Sequence, residues 1–352
     1  MIGGRVFYTD STHLKASANK NRYELHQVEQ KPSEYLAELN AAVEADRLAH
    51  GKKPLKDHED DDSDSGKEIK VSPVDPDAGY MVRDGKPTGF FYLDHRTVDG
   101  VHALITDTHI TPGNVHDSQP YLSRLDRMKQ RFGFDIAVAG LDAGYFTPMI
   151  CKGLIEREVY GVMGYRRPNH KDGYFYKREY RYDPERDGYV CPNGEFLGYR
   201  TTNRMGYREY ASTAASCTNC PMKGQCTQSR NGVKVITRHV WEEYKEEIDA
   251  HRLTDKGKEL YKRRKETVER SFADAKELHG HRYARFRGLA KVKAQALLAA
   301  ACQNMKKMAM LLEAALLAAF LPQKLHQKLL EALQSVQDEL DRLIGIPKLI
   351  SA

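Results

Sequence analysis

The sequence predicts an α/β protein whose sheet mixes strand directions, and three observations predict it. Short aromatic and β-branched runs alternate with segments of helical spacing through the first part of the chain. An Asp99-Gly100 pair joins two such runs, the strongest short signal for an antiparallel hairpin. Beyond Arg238 the pattern turns overwhelmingly helical.

In chain order, Arg5–Thr9 reads as a strand that Asp10-Ser-Thr ends with turn-forming residues. Ser33–His50 has helical spacing with a partial cap, and 51–71 reads as a flexible linker poor in apolar residues. Gly89–Val98 and Val101–Thr108 read as the hairpin strands, and Asp117–Phe132 as a helix. Asp135–Leu141 has a buried-strand composition. Pro148–Arg157 follows as a helix with its proline at the start, then a strand over Val159–Gly164. Lys171–Arg238, rich in Tyr, Arg, Gly and Asn, breaks this rhythm and holds four cysteines. Helices are expected over Thr254–Leu278, Lys291–Phe320 and Pro322–Ile344. The domain division that follows is a first core part at 1–165, a cysteine-rich insertion at 166–240, a helical completion at 241–321 and a helical tail at 322–352.

The 352 residues carry 55 basic and 49 acidic side chains, a balance that says little about partners. Distribution says more, because Lys262–Lys293 is densely basic while Asp57–Asp64 is acidic. A local basic stripe fits nucleic-acid contact, or a solvated helix face. The acidic run reads as a solvated linker. No signal peptide is visible, and the longest apolar stretch, Met308–Leu321, is too short to span a bilayer, so a cytoplasmic protein without a membrane partner is expected.

Three acidic residues stand out. Asp10 follows the first strand, and Asp142 follows another strand in Gly140-Leu-Asp-Ala-Gly-Tyr145. In α/β sheets, ligands gather at the carboxyl ends of strands, although an aspartate there also serves as a turn former or cap. Glu269 lies in a basic helix, where Lys265, Glu269, Phe272 and Lys276 fall near one face. A carboxylate flanked by two cations beside an aromatic is odd for a packing face but ordinary for an exposed one, where Glu269 pairs with Lys265.

In combination these motifs resemble the bacterial insertion-sequence transposases of the DDE class. Asp10-Ser-Thr12 matches the first carboxylate motif and Asp142-Ala-Gly-Tyr145 the second. Glu269 and Lys276 fit the second half of a Tyr-x2-Arg-x3-Glu-x6-Lys signature. The hairpin Gly89–Thr108, the turn Thr111–Ser118 and Arg285-Phe-Arg-Gly288 also resemble the family, over roughly Arg5 to Met310. One departure stands out: Tyr261 and Arg264 satisfy Tyr-x2-Arg, but four residues separate Arg264 from Glu269, so either Arg264 or Lys265 takes the arginine's place.

The resemblance implies a ribonuclease-H-like mixed sheet flanked by helices, with Asp10, Asp142 and Glu269 catalytic and binding Mg²⁺ or Mn²⁺. It implies a DNA surface formed by Tyr261, Arg264, Lys265, Lys276, Arg282, Arg285 and Arg287. The substrate would be double-stranded DNA, at element ends and target, handled by a nucleoid-associated homodimer in a synaptic complex. Such transposases carry an N-terminal DNA-end-binding domain, and here only nine residues precede Asp10, so a core without that domain is expected. A catalytically inactive DNA-binding or regulatory remnant, and a nuclease of the same fold, are the other functional readings.

Cys217-Thr-Asn-Cys220, Cys226 and the upstream Cys191 suit a structural, tetrahedral Zn²⁺ centre, or are four unrelated buried thiols. Cys151 and Cys302 are expected in helical cores. His95, His102, His109 and His116 share no face, leaving His116-Asp117 the pair of interest, and Asp75 and Asp77 are second-choice metal ligands.

Overall fold

The computed structural model describes residues 2–28, 34–55, 67–83, 85, 87–166, 171–320, 331–332 and 334–336. Residues 56–66 of the expected linker, with the whole acidic run, lie outside them, as does most of the expected tail at 322–352. The chain divides into two compact units: Met1–Val28, Lys67–Tyr165 and Lys245–Ala352 form the first, and Glu29–Gly66 and Arg166–Tyr244 the second.

The elements run in order as β1 (Val6–Lys15), β2 (Glu24–Val28), α1 (Glu34–Ala49), β3 (Lys67–Val71) and β4 (Gly79–Met81). β5 (Gly89–Asp99), β6 (Ile105–Pro112), α2 (Tyr121–Phe132), β7 (Val138–Leu141), α3 (Pro148–Ile155) and β8 (Tyr160–Met163) follow. Next come β9 (Arg181–Asp183), β10 (Gly188–Val190), β11 (Phe196–Thr202), β12 (Tyr207–Ala211), α4 (Ala214–Thr218), α5 (Lys223–Cys226) and β13 (Val235–His239). The chain then turns helical through α6 (Glu242–Leu253), α7 (Asp255–Lys262), α8 (Arg270–Leu278) and α9 (Leu289–Phe320).

In the first unit, β5 is flanked on one edge by β1 and on the other by β6 and β4, and β7 and β8 continue the sheet beyond β1. β1 runs antiparallel to β5 but parallel to β7, and β7 parallel to β8, so the directions are mixed as expected. Because strand side chains alternate, Val6 and Tyr8 of β1 face one way. They join Val138, Val162, Leu260, Val268 and Phe272 in a core between sheet and C-terminal helices. Asp10, Thr12 and Leu14 continue that same face.

Two local expectations are corrected here. β1 does not stop at Asp10: its pairing with β5 runs on to Lys15 opposite Phe91, because Thr12 and Leu14 still find buried places. The hairpin is not a two-residue turn either, since β6 begins at Ile105. The Asp99 carboxylate accepts from the Val101 and His102 N–H groups, and Asp99 N–H donates to Leu104 O, making a wider connection.

In the second unit, β9 to β13 form a five-stranded antiparallel sheet in the order β13-β12-β11-β10-β9. Tyr180, Tyr189, Leu197, Tyr210 and Ile236 form its core. Tyr182 and Tyr210 hydroxyls and His50 Nε2 all meet the Asp187 carboxylate, at 2.7, 2.6 and 2.7 Å. Burial opposes ionisation of Asp187, but these partners outweigh it and lower its pKa. The longest helix of this unit, α1, packs Leu39 and Val43 on Trp241.

Candidate active site

Asp10, Asp142 and Glu269 come from three distant stretches of the first unit and meet around one guanidinium. Arg264 Nη2 donates to Asp10 Oδ2 at 2.8 Å, and Arg264 Nη1 lies 3.6 Å from both Asp142 Oδ1 and Glu269 Oε1. The arginine side chain is 3% exposed, whereas those of Asp10, Asp142 and Glu269 are 22, 51 and 45% exposed. A buried cation therefore faces three carboxylates that open to solvent.

Local structure explains each placement. Asp10 sits mid-strand on β1, and its Oδ1 accepts from the Ser11 N–H at 2.8 Å. Asp142 immediately follows β7 and precedes a single 3₁₀ turn, Ala143–Tyr145, without capping it through its side chain. Its carboxylate is thus not consumed as a cap. Tyr145 anchors that turn, buried edge-on against Tyr121.

Glu269 closes a π turn, Lys265–Glu269, between α7 and α8. Its N–H donates to Arg264 O, five residues back, at 3.1 Å. A π turn inserts one residue into a helix, so Arg264 and Glu269 face the same carboxylate cluster although four residues separate them. This absorbs the departure from the signature spacing. It also settles which residue faces the acids, since Lys265 is exposed and Arg264 is not. Tyr261 completes the corner: its hydroxyl accepts from Arg264 Nη1 at 3.1 Å. A Cβ on Gly164 would lie 2.5 Å from that hydroxyl, so the bare glycine after β8 makes the space for it.

Burial pushes the Asp10 carboxyl up to about 6, against Arg264 and the Ser11 N–H, which favour its charged form, while Asp142 and Asp117 add repulsion. One guanidinium does not fully compensate three acids. In donor chemistry the cluster suits a hard divalent cation, which takes carboxylate oxygens. In its present spacing the guanidinium occupies the middle, and among the described residues no group of three or more His, Cys, Asp or Glu stands as a metal-holding cluster.

Beside this open cluster lies a closed one that sequence reading missed. Asp94, on β5, accepts from Arg96 Nη2 at 2.8 Å, from Thr108 Oγ1 at 2.6 Å and pairs with His281 Nε2 at 2.9 Å. Arg96 Nη1 also donates to Ser271 Oγ and O on α8, and its guanidinium lies 4.7 Å from the Phe272 ring centre. This network ties β5 and β6 to the helix that follows Glu269. The available signal was charge inside β5, whose eleven residues are all buried. His95, next in that strand, bonds Thr111 through Nε2, and burial, then Arg124, push its pKa down to about 3.

The basic residues separate into groups. Lys276 and Arg282 line a cavity of about 770 Å³ with Lys15, Lys20, Thr12 and Tyr283. Thr12 is two residues from Asp10 on the same strand face. Arg282 also pairs with Glu277. Arg285 lines a separate depression beside Phe286 and Cys302, and Arg287 reaches Ser17 O. Asp75 and Asp77 are occupied elsewhere: Asp75 accepts from Tyr92 and the Gly288 N–H, and Asp77 from the Leu289 N–H at the start of α9. Asp117 pairs with Arg83 at 3.2 Å, and His116 Nδ1 bonds Ser118 Oγ.

The expected zinc centre is not formed by the described residues. Cys226 Sγ pairs with the Tyr180 hydroxyl at 3.0 Å, and Cys217 Sγ donates to Ser212 Oγ at 3.2 Å. Cys191, Cys217, Cys220 and Cys226 form no disulfide and are part-exposed, and a tyrosine core packs this unit. Cys151 is buried as expected, but Cys302 is exposed on α9, because that helix is apolar beyond its buried face.

Residues 190–309 match a family model described as Transposase DDE domain. The match contains Arg264 and Glu269, while Asp10 and Asp142 lie before it. It supports a DDE-class transposase. No curated protein matches the chain, and no solved structure does. Among the described residues no helix is long and apolar enough to cross a membrane.

Proposed function

With a DDE-class transposase as the premise, we propose that this chain cuts DNA at the ends of a bacterial insertion sequence and joins them to target DNA. In this reading Asp10, Asp142 and Glu269 hold Mg²⁺ or Mn²⁺ on a ribonuclease-H-like core. One observation carries it: three carboxylates from separate stretches surround a single buried cation, Arg264. That convergence supports an enzyme over a non-catalytic DNA-binding remnant. Divalent ions, when bound, would activate the attacking water or 3′-hydroxyl and neutralise the leaving oxygen.

The remaining work falls to the chain's own side chains. Lys15, Lys20, Lys276 and Arg282, around the cavity that begins at Thr12, hold the phosphate backbone beside the carboxylates. Arg285, in its own depression, and Arg287, which reaches Ser17 O, would add phosphate contacts outside that cavity. The substrate is double-stranded DNA, and a homodimer would bring two element ends together.

Glu269→Gln tests the assignment, because it keeps shape and removes the charge that a hard cation requires. Nicking of supercoiled DNA in Mg²⁺ should fall by about a thousandfold, several kcal/mol of barrier, while DNA binding at fixed salt survives. Near-normal nicking by the Gln variant would show that a different carboxylate serves. Nicked DNA without joined products from the wild type would favour a nuclease of this fold over a transposase.

A further inference from the structure

We propose that Arg264 is a resident stand-in for the divalent cation: it gathers Asp10, Asp142 and Glu269 in the metal-free protein and gives them up when the site loads. The inference rests on the metal-dependent reading above and adds an exchange between an internal cation and an external one. Three carboxylates against one guanidinium leave the cluster with a formal excess of two negative charges, which attracts a dication. The guanidinium lies within 2.8 to 3.6 Å of all three acids, the same carboxylates that would hold the dication.

Its hold on them is uneven. The Asp10 contact at 2.8 Å is a charge-assisted hydrogen bond, but the two at 3.6 Å exceed hydrogen-bond length. The Nε–H of Arg264 is buried with no partner, so this pose leaves one donor of the side chain unsatisfied. Tyr261 already holds the guanidinium through the nitrogen that does not bond Asp10, with its hydroxyl 3.1 Å from Nη1 and its ring centre 5.3 Å from the guanidinium carbon, contacts that do not depend on the acids. A phosphate of bound DNA offers arginine a bidentate partner. Arg264 therefore has somewhere to go when a metal takes the carboxylates, and DNA that captures it would favour loading. By linkage, metal would in turn favour DNA.

The test measures Mn²⁺ binding to the DNA-free protein, by paramagnetic resonance of the free ion, in the wild type, Arg264→Gln and Arg264→Lys. Removing the competing charge should tighten Mn²⁺ binding at least tenfold in Arg264→Gln, with Arg264→Lys close to wild type. In EDTA the Gln variant should melt below wild type, and Mn²⁺ should raise its melting temperature more than the wild type's. Folded Arg264→Gln protein that binds Mn²⁺ no better than wild type overturns the exchange and leaves the metal site standing. Absence of Mn²⁺ binding in all three proteins overturns both. Should Arg264→Gln fail to fold, the wild type still decides. Its Arg264 side-chain ¹⁵N resonance, identified by its loss in Arg264→Lys, should move on adding Mg²⁺, and an unmoved resonance with Mg²⁺ bound refutes the exchange.

Discussion

Arg96 and Arg264 are buried arginines that approach the same sheet face, Arg96 directly opposite Asp10 across the β1–β5 pair. Arg96 serves one carboxylate, Asp94, which Thr108 and His281 also bond, and Arg96, Asp94 and His281 are fully buried. Arg264 serves three carboxylates, each still open to solvent. The two acids respond in opposite directions. Burial works against the Asp94 charge, but Arg96, His281 and Thr108 outweigh it and hold its carboxyl well below the ordinary range. Asp10 is instead pushed up. A closed cluster whose carboxylate is fully paired holds the fold; an open, undercompensated cluster has charge left for a ligand.

The contrast can be broken by substitution. Asp94→Asn leaves Arg96 buried without its counter-charge, and should cost about 3–5 kcal/mol in chemical denaturation. The effect should depend on pH. Because the folded pKa of Asp94 is depressed, its contribution is complete above the ordinary carboxylate pKa and is lost as pH falls toward the folded value. The gap between wild type and Asp94→Asn should therefore narrow below about pH 4; a gap that widens there would show that the pair is not ionic. Thr108→Val removes one hydrogen bond to the same charge and should cost about 1.5–3 kcal/mol. Asp142→Asn and Glu269→Gln, at half-exposed positions of the open cluster, should each change stability by no more than about 0.5 kcal/mol. If either matches Asp94→Asn, the cluster is structural and the contrast collapses.

The two clusters differed in how legible they were. Asp10-Ser-Thr12, Asp142-Ala-Gly-Tyr145 and Glu269 could be picked out because each sets a carboxylate in a short contiguous motif, although Asp10 lies mid-strand and not at the turn its motif suggested. The mixed sheet followed from alternating runs. Arg264's place was not legible, because an inserted residue looks the same in sequence whether a helix ends or bulges; the irregular spacing before Glu269 was its trace. The Asp94 network depends on Thr108, Ser271 and His281, brought together only by tertiary packing. In 171–238, β9 and β10 have three residues each, too few for alternation to register, and the cysteine spacing drew attention from the tyrosines that build the core.

Most directly, the unity of the three carboxylates can be measured by Mg²⁺-dependent nicking of supercoiled DNA by the single variants Asp10→Asn, Asp142→Asn and Glu269→Gln and by the triple variant, all confirmed folded. Groups that act as one site are strongly non-additive. Each single variant should lose nearly as much activity as the triple, down to the level without metal. A single variant that retains substantial nicking, or losses that simply multiply to the triple, would contradict a shared site.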